Sequence, residues 1–198
     1  MAGKPTYNPL DHLDPDTKIY HFRSIEEREL EKEERQLALK LLRRRDNILK
    51  AVYLFTERFL RMGLTESSIE PILEELGHAD EVSRVYIFEN HTLDGGTLVT
   101  NQRFEWVSPG IAPQITNPDL QQMPFVEAGF ARWVKTLGKG EIIYGNIEDF
   151  PEAEKPLLSA QKIVSMMVAP IMVGDDWWGF IGFDDCSARR DWPPVEIE

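Results

Sequence analysis

The 198-residue sequence contains little that could support covalent chemistry, a disulfide framework or nucleic-acid binding. Its one cysteine, Cys186, can neither form an internal disulfide nor build a zinc site by itself. Basic residues are scarce, because 22 Lys and Arg stand against 34 Asp and Glu, which gives a net charge of −12. Since the affinity of proteins for nucleic acid comes mainly from Lys and Arg, this balance argues against a nucleic-acid partner.

Long apolar runs are also missing. The N-terminus lacks the basic patch and following apolar segment of a secretory signal. The longest nearly apolar stretch, residues 163–173, contains a serine and a proline and is too short to cross a bilayer. We therefore predict a cytoplasmic protein without direct membrane contact.

The apolar residues, 42% of the chain, suffice for a core, and charge divides the chain into three regions. Residues 1–23 contain three prolines and predict an irregular leader. Residues 24–47 carry seven acidic and seven basic residues and predict a coiled-coil-like helix. Residues 48–198 carry the whole net charge, with 24 acidic and 12 basic residues, and predict a globular domain.

The predicted coiled-coil-like helix has a narrow apolar seam. Neither proline nor glycine occurs in residues 24–62. Six of the eight positions that are spaced alternately by four and three residues from Leu30 to Phe55 are apolar. This period of 3.5 is typical of a helix that pairs with another helix. We therefore predict a homodimer whose interface contains Leu30, Leu37, Leu41, Ile48 and Phe55.

The globular region mixes helical and strand periodicities. Strands joined by tight turns, with helices between them, indicate an α+β domain built on an antiparallel sheet. The Gly174-Asp175-Asp176 turn predicts a closing hairpin. The predicted helices cover 67–78, 125–137 and 151–161, and the predicted strands cover 84–90, 98–107, 141–146, 165–173 and 177–185.

An ordered series of motifs carries a family resemblance. The helix RDNILKAVYLFTERFL precedes the strands VSRVYIFEN and RFEWVSPGI, and the second half of the chain follows with a spaced set of small and turn residues. That set is Ser165, Pro170, Gly174, Gly179 and Gly182. From about residue 46 to 198 the chain resembles a GAF domain, a sensory fold related to PAS domains.

The resemblance implies a fold and a function. The fold would be a twisted antiparallel sheet flanked by helices, with a long N-terminal dimerisation helix and a ligand-capable pocket on one side of the sheet. The function would be that of a non-catalytic sensory domain in a multidomain signalling protein, such as a sensor histidine kinase. Trp192-Pro193-Pro194 resembles the start of the last GAF helix, so we expect that helix to be truncated here and an output domain to follow in the parent chain.

By the same resemblance, the pocket would be lined by side chains from several elements. We expect ligand contacts from Arg103, Trp106, Met123, Phe125, Phe130, Trp133, Tyr144, Ser165 and Met167. The apolar members of this set could instead close a solid core, which would make the chain a ligand-free structural or dimerisation module. A cavity on the order of a few hundred Å³ lined by these residues is needed for the ligand-binding interpretation, and its volume therefore separates the two.

The resemblance also bears on cofactors and catalysis. Bilin-binding relatives attach their chromophore through a cysteine near the pocket helices, whereas Cys186 follows the last strand. Four scattered histidines offer no haem or metal cluster. We therefore expect neither bilin, haem nor metal, and leave an unknown small molecule open. The aspartate pairs 175–176 and 184–185 fit a turn and a strand end, so no catalytic residue is predicted.

Overall fold

The computed structural model describes residues 28–36, 38–39, 42–43, 46, 53, 66–190 and 192, and the chain divides into two compact units, Met1–Arg43 and Arg44–Glu198. In the first unit the described residues are helical and exposed, and Leu30 is 58% exposed. The leader lies outside the described residues, as do four of the five predicted interface residues, Leu37, Leu41, Ile48 and Phe55. The homodimer therefore stays a prediction.

The second unit is built on one six-stranded sheet in which every neighbouring pair is antiparallel. The spatial order is β3-β2-β1-β6-β5-β4, so the first and last hairpins meet at the centre through β1 and β6. The strands are β1 (Arg84–Thr92), β2 (Leu98–Val107), β3 (Met123–Pro124), β4 (Ile143–Asn146), β5 (Ser165–Val173) and β6 (Asp176–Asp185). The predicted α+β fold with an antiparallel sheet is confirmed.

Among residues 66–190, three helices accompany the sheet: α1 (Glu66–Ala79), α2 (Ala131–Leu137) and α3 (Lys155–Ala160). Helix α2 is shorter than the predicted 125–137, because the chain turns through Gly129 with a φ of 93°. A side chain at this glycine would start 2.4 Å from the carbonyl oxygen of Ala153, so the turn also packs closely against the segment that leads into α3. Short 3-10 turns at Pro118–Leu120 and Ile147–Asp149 lie on the same side of the sheet as α2 and α3.

The two faces of the sheet carry separate cores, as the period-two pattern of β1 predicts. Val85 and Ile87 join α1 in one core, which we call the helix-face core. Tyr86 and Phe88 join α2, α3 and the 3-10 turns in the other, which we call the cavity-face core. Because successive side chains of a strand point to opposite faces, each central strand contributes to both cores.

An irregularity in the β1–β2 pairing determines which side chains of β2 reach the cavity face. Tyr86 pairs with Glu105, but Phe88 pairs with Gln102, so β2 has one extra residue at this point. Such a bulge changes the alternation of side chains along a strand. Gln102 and Glu105 consequently lie on the same face as Tyr86 and Phe88, and the intervening Arg103 is exposed.

Candidate functional site

A cavity lies on the face of the sheet opposite α1. Strands β1, β2 and β6 supply its floor, and the Pro118–Leu120 turn, α2 and α3 cover it. Its free volume is about 30 Å³, which is room for one or two water molecules. The lining residues are Arg84, Tyr86, Phe88, Gln102, Glu105, Leu120, Met123, Phe130, Trp133, Leu157, Leu158, Gln161, Ile163, Met166 and Phe180.

Aromatic rings form one wall of the cavity. Phe88 and Phe180 stack with their centroids 4.8 Å apart, and Trp133 meets Phe180 edge to face at 5.7 Å. Phe130 meets Trp133 in a second edge-to-face contact at 5.0 Å. These geometries are the favourable ones for aromatic pairs, so the wall is an apolar surface of mutually packed rings.

A buried charged cluster occupies one end of the cavity floor. The Arg84 and Asp184 side chains are each 1% exposed, with Arg84 Nε 3.4 Å from Asp184 Oδ2. The Tyr86 hydroxyl donates a hydrogen bond of 2.9 Å to the other carboxylate oxygen, Asp184 Oδ1. Arg84 Nη2 also donates to the carbonyl oxygen of Gln161 at 2.8 Å. The charge of Arg84 is therefore balanced inside the protein.

Burial shifts the protonation equilibria of this cluster. Removal from water raises the pKa of Asp184 from 3.8 to about 7, because it disfavours the charged carboxylate more than Arg84 and Tyr86 favour it. Burial and the neighbouring carboxylate also raise the pKa of the Tyr86 hydroxyl well above its ordinary value. Asp184 is thus the group of this cluster that titrates near neutral pH.

Cys186 borders the same cluster. Its sulfur accepts a hydrogen bond from Arg84 Nη2 at 3.1 Å, and its backbone N–H donates to the Ser83 hydroxyl at 2.9 Å. Burial raises the pKa of this thiol despite the nearby guanidinium. Because the thiolate is the reactive form, this environment favours a structural cysteine over a nucleophile.

The rim of the cavity is fixed by β2. The Glu105 carboxylate accepts backbone N–H bonds from Gln114, at 2.7 Å, and from Ile115, at 2.9 Å. The Gln121 amide donates to the backbone carbonyl of Gln102 at 3.2 Å. The segment between β2 and β3 is therefore held over the cavity by polar groups of β2.

A buried carboxylate holds the aromatic wall in place. Glu154, 1% exposed, accepts bonds from Arg132 Nε at 2.9 Å and Nη2 at 2.7 Å. It also accepts a bond of 3.0 Å from the indole N–H of Trp133. Bidentate pairing of this kind fixes direction as well as distance, so Glu154 orients Trp133 against Phe180.

The segment after β6 is tied to the rest of the domain by Arg190. Its guanidinium binds the Asp185 carboxylate and the backbone carbonyls of Asp80 and Glu81. Although burial alone would raise the pKa of Asp185, hydrogen bonds from Ser187 and Arg190 lower it below its ordinary value. Asp185 directly follows Asp184 of the cavity cluster, so cavity floor and exit segment are adjacent in the chain.

The exit segment continues into the helix-face core. Trp192 is 7% exposed and packs in that core, and its indole N–H donates to the Ser165 hydroxyl. The Arg190 guanidinium lies 5.8 Å from the centroid of the Trp192 ring. Cavity-face and helix-face elements therefore meet at the point where the chain leaves the sheet.

The structure brings some of the predicted ligand residues together. Met123, Phe130 and Trp133 line the cavity, and Phe125 is fully buried in the same core. Ser165 is buried as well, but its hydroxyl binds Trp192 and the carbonyl oxygen of Gly145 at 3.2 Å. It serves the exit segment instead of lining the cavity.

The other predicted ligand residues lie elsewhere. Trp106 and Met167 face the helix-face core, where the Trp106 ring fills the space beside Gly77 of α1. Arg103 is displaced outward by the bulge and pairs with Glu89. Tyr144 is exposed on the edge strand β4. These four side chains do not line this cavity, because strand parity and the bulge direct them away from it.

Sequence reasoning missed the polar floor of the cavity. Arg84 and Gln102 were not singled out, and Asp184 was assigned only to a strand end. Glu154, which holds the aromatic wall, was missed as well. A signal for Arg84 existed, since a charged residue opens the otherwise apolar run of β1. Gln102 gave no such signal, because its inward position depends on the bulge.

Two further features bear on function within the part of the chain that the structure describes. No group of three or more His, Cys, Asp or Glu side chains there could hold a metal ion. Among the same residues, no helix is long and apolar enough to cross a membrane.

The antiparallel sheet, with a helix on one face and a covered cavity on the other, agrees with the fold that the family resemblance implies. The sequence profile of the GAF domain matches residues 65–198, and the chain belongs to the GAF domain family. The resemblance stated from the motifs is thereby confirmed, together with the GAF-like fold.

Two relatives set this domain in a larger context. One, 40% identical over 156 residues, is the methanogenesis regulatory histidine kinase FilI of Methanothrix harundinacea. The other, 27% identical over 130 residues, is an uncharacterised protein of Azorhizobium caulinodans. The matches cover 79% and 63% of this chain but only 17% of each relative. The chain is thus similar to one part of a regulatory histidine kinase.

Solved structures share the fold. The phycocyanobilin-bound GAF domain of a cyanobacterial phytochrome has a TM-score of 0.52 at 19% identity, covering 72% of this chain and 81% of its own. The PixJ GAF domain of Thermosynechococcus elongatus, in its blue-light-absorbing form, has a TM-score of 0.51 at 20% identity, covering 76% and 78%.

These neighbours correct one prediction. We expected the position of Cys186 to count against a bilin, yet a GAF domain of similar fold is bilin-bound. At this level of identity the likeness shows the fold alone. The prediction is therefore wrong as an exclusion, since the placement of one cysteine does not rule a bilin out of this fold.

Proposed function

We propose that this chain is the non-catalytic sensory module of a signal-transduction protein of the histidine-kinase type. In this function a small molecule binds in the cavity, and its binding changes how the N-terminal helices of two protomers pack. The output domain lies C-terminal to the sequence in the parent chain. The likeness to a regulatory histidine kinase over 79% of this chain supports this context.

The observation that carries the proposal is the polar floor of the cavity. Buried charges are costly unless they are paired, and here Arg84, Tyr86 and Asp184 form such a paired group against an aromatic wall. A solid core of the same size would need no such cluster. Apolar walls with a few placed polar groups are typical of small-molecule sites.

The cluster also offers a route from cavity to exit segment. A ligand that presses on Tyr86 acts on Asp184, and the next residue, Asp185, holds Arg190. A ligand shifts a two-state equilibrium only through contacts that differ between the states. Under this proposal, the bond from Tyr86 to Asp184 and the bonds from Arg190 to Asp185 and Asp80 are the contacts that change when the ligand binds.

Dimerisation through the N-terminal helix completes the proposal. Leu30, 58% exposed on a helical segment, has the apolar surface that a partner helix would cover. Helix pairing in register would give the two sensory modules a common output. The other proposed interface residues are Leu37, Leu41, Ile48 and Phe55.

Native mass spectrometry of freshly purified protein tests the proposal, with an absorption spectrum recorded on the same sample. We expect a dimer mass with an additional small molecule, and a visible band if that molecule is a chromophore. Monomeric protein that releases nothing on denaturation, and binds nothing from a metabolite library, would contradict it.

The free volume of about 30 Å³ favours a second candidate, a structural module with a nearly filled core. A ligand larger than two water molecules enters only if the covering turn and helices move outward. Amide hydrogen exchange distinguishes the two functions. Opening of residues 111–122 well above the global unfolding rate fits a binding site, and uniform protection fits a closed structural core.

A further inference from the structure

The proposed function leaves the chemistry of the ligand open, and the cavity restricts it. We propose, resting on that function, that the cavity selects an uncharged aromatic molecule with a hydrogen-bond donor, and that the Gln102 side chain is the acceptor that recognises the donor. Of two probes of similar size and shape, the anion should bind this site more weakly than the neutral molecule.

Gln102 is the first reason. Its side chain lines the cavity, the residue is only 4% exposed, and Oε1 has no hydrogen-bond partner among the described residues. A buried acceptor without a donor costs about 1–3 kcal/mol, and native proteins rarely retain one without a use. The bulge at Arg103 brings this amide beside Phe88 on the cavity face.

The charged groups of the wall are the second reason. Arg84 is the one basic residue that the described chain places in the cavity wall, and its guanidinium already faces Asp184, Gln161 and Cys186. Glu105, also in the wall, is held by two backbone N–H groups. An anion would therefore enter a poorly hydrated site next to two carboxyl groups and without a free cation.

The aromatic wall is the third reason. Phe88, Phe180 and Trp133 all line the cavity, the first two stacked on each other and Trp133 edge to face with Phe180. A flat ring would extend this arrangement, gaining offset-stacked or edge-to-face contacts. Its donor would then lie near Gln102, which pairs with Phe88 across the strands.

Three probes of similar size separate the possibilities: phenol has a donor, toluene replaces the hydroxyl by a methyl, and benzoate is an anion. Binding is measured by NMR titration of the 198-residue protein, through the indole N–H of Trp133 and the backbone amides of β1 and β2. We expect phenol and toluene to perturb the cavity signals, and benzoate to leave them unchanged at the same concentration.

Gln102→Met removes the acceptor and keeps the length of the side chain. We expect the ratio of phenol to toluene affinity to fall about five- to tenfold in this variant, the effect of losing one hydrogen bond. Gln122→Met, the same change at an exposed glutamine, should leave the ratio unchanged. Because toluene reports the unchanged apolar contacts, the ratio isolates the hydrogen bond even if Gln102→Met alters stability.

Three outcomes would overturn the inference. An unchanged ratio in Gln102→Met would show that Gln102 is not the acceptor. Stronger binding of benzoate than phenol at the cavity signals would reverse the ligand class while leaving the proposed function intact. No perturbation by any probe would remove the ligand class, and the mass-spectrometric test above would then judge the proposed function separately.

Discussion

Single residues of the cavity floor are placed where their chemistry is costly, and the costs are offset locally. Arg84 and Asp184 would each be strongly unfavourable alone in this environment. Tyr86 adds a hydrogen bond to Asp184, which ties the pair to the middle of β1. We therefore expect the free energy of unfolding to change when Asp184 gains or loses a proton, or when one methyl group is added beside Tyr86.

The first prediction concerns the pH dependence of stability. The folded-state pKa of Asp184, about 7, exceeds the unfolded value of about 3.9. The folded protein therefore binds more protons between these values, and the free energy of unfolding decreases as pH rises from about 4 to about 7, by on the order of a few kcal/mol. Urea unfolding at pH 5, 6, 7 and 8 measures this slope.

Two neighbouring variants test the assignment of that slope. Asp184→Asn should abolish it, because the titrating group is gone. Asp185→Asn should lower stability throughout but keep the slope, since the lowered pKa of Asp185 lies below this pH range. A slope that survives in Asp184→Asn would show that another group titrates.

The second prediction concerns Gly182, directly opposite Tyr86 in the sheet. A side chain there would begin 2.2 Å from the Tyr86 ring, so Gly182→Ala must displace the ring from Asp184. We expect a loss of about 1–3 kcal/mol in urea unfolding, as for other overpacked cores. In a Tyr86→Leu background the same change should cost clearly less, and equal costs in both backgrounds would refute the contact.

At the scale of elements, the longer strands were predictable, whereas the two-residue strand β3 (Met123–Pro124) and the limits of the short helices were not. Strand β2 matches its predicted limits, 98–107, and β1 extends two residues beyond its predicted end. Such strands can be recognised in the sequence because their alternating residues serve two buried faces. Helices α2 and α3 are shorter than predicted. The residues before each helix have a composition compatible with a helix, but they form the turn at Gly129 and the turn before Lys155 instead. Tertiary contacts decide such short elements more than propensity does.

The candidate site was predicted only in its apolar part. Phe130 and Trp133 could be placed because helical spacing and the family resemblance indicate the same wall. Gln102 could not, because a single extra residue in β2 exchanges the faces of the strand before and after it. The pairing of Arg84 with Asp184 joins residues a hundred positions apart, and local spacing carries no information on such pairs.

The third prediction concerns the exit segment. Arg190→Lys keeps the charge but cannot bind Asp185 and the two carbonyl oxygens together. We expect amide exchange of residues 186–192 and 80–83 to accelerate at least tenfold. Arg189→Lys is the matched control, since Arg189 is exposed and pairs with Glu148 on the surface. Equal protection in both variants would contradict the role of Arg190.

At the scale of the whole molecule, the proposal joins a sensing domain to helix pairing. GAF membership is shown by the match over residues 65–198, whereas the homodimer rests on the sequence pattern. One charged residue placed on an apolar seam weakens the association of the two helices, whereas one placed beside the seam does not.

The fourth prediction follows from this difference. Leu37→Glu places a charge on the predicted seam and should convert the dimer to monomer in sedimentation velocity experiments at micromolar concentration. Leu39→Glu, at an exposed helical leucine outside the seam, should leave the dimer intact. A monomeric parent protein, or equal effects of both changes, would rule out this interface.

Communication between the cavity and the paired helices is tested most directly by a distance between protomers. A nitroxide at Arg35→Cys, on the exposed helical segment, with Cys186→Ser removing the native thiol, allows pulsed dipolar spectroscopy with and without saturating phenol. We expect one principal distance that shifts by several ångströms on phenol addition, and we expect Gln102→Met to need a phenol concentration about five- to tenfold higher for the same shift. Identical distance distributions with the cavity empty and occupied would contradict the coupling.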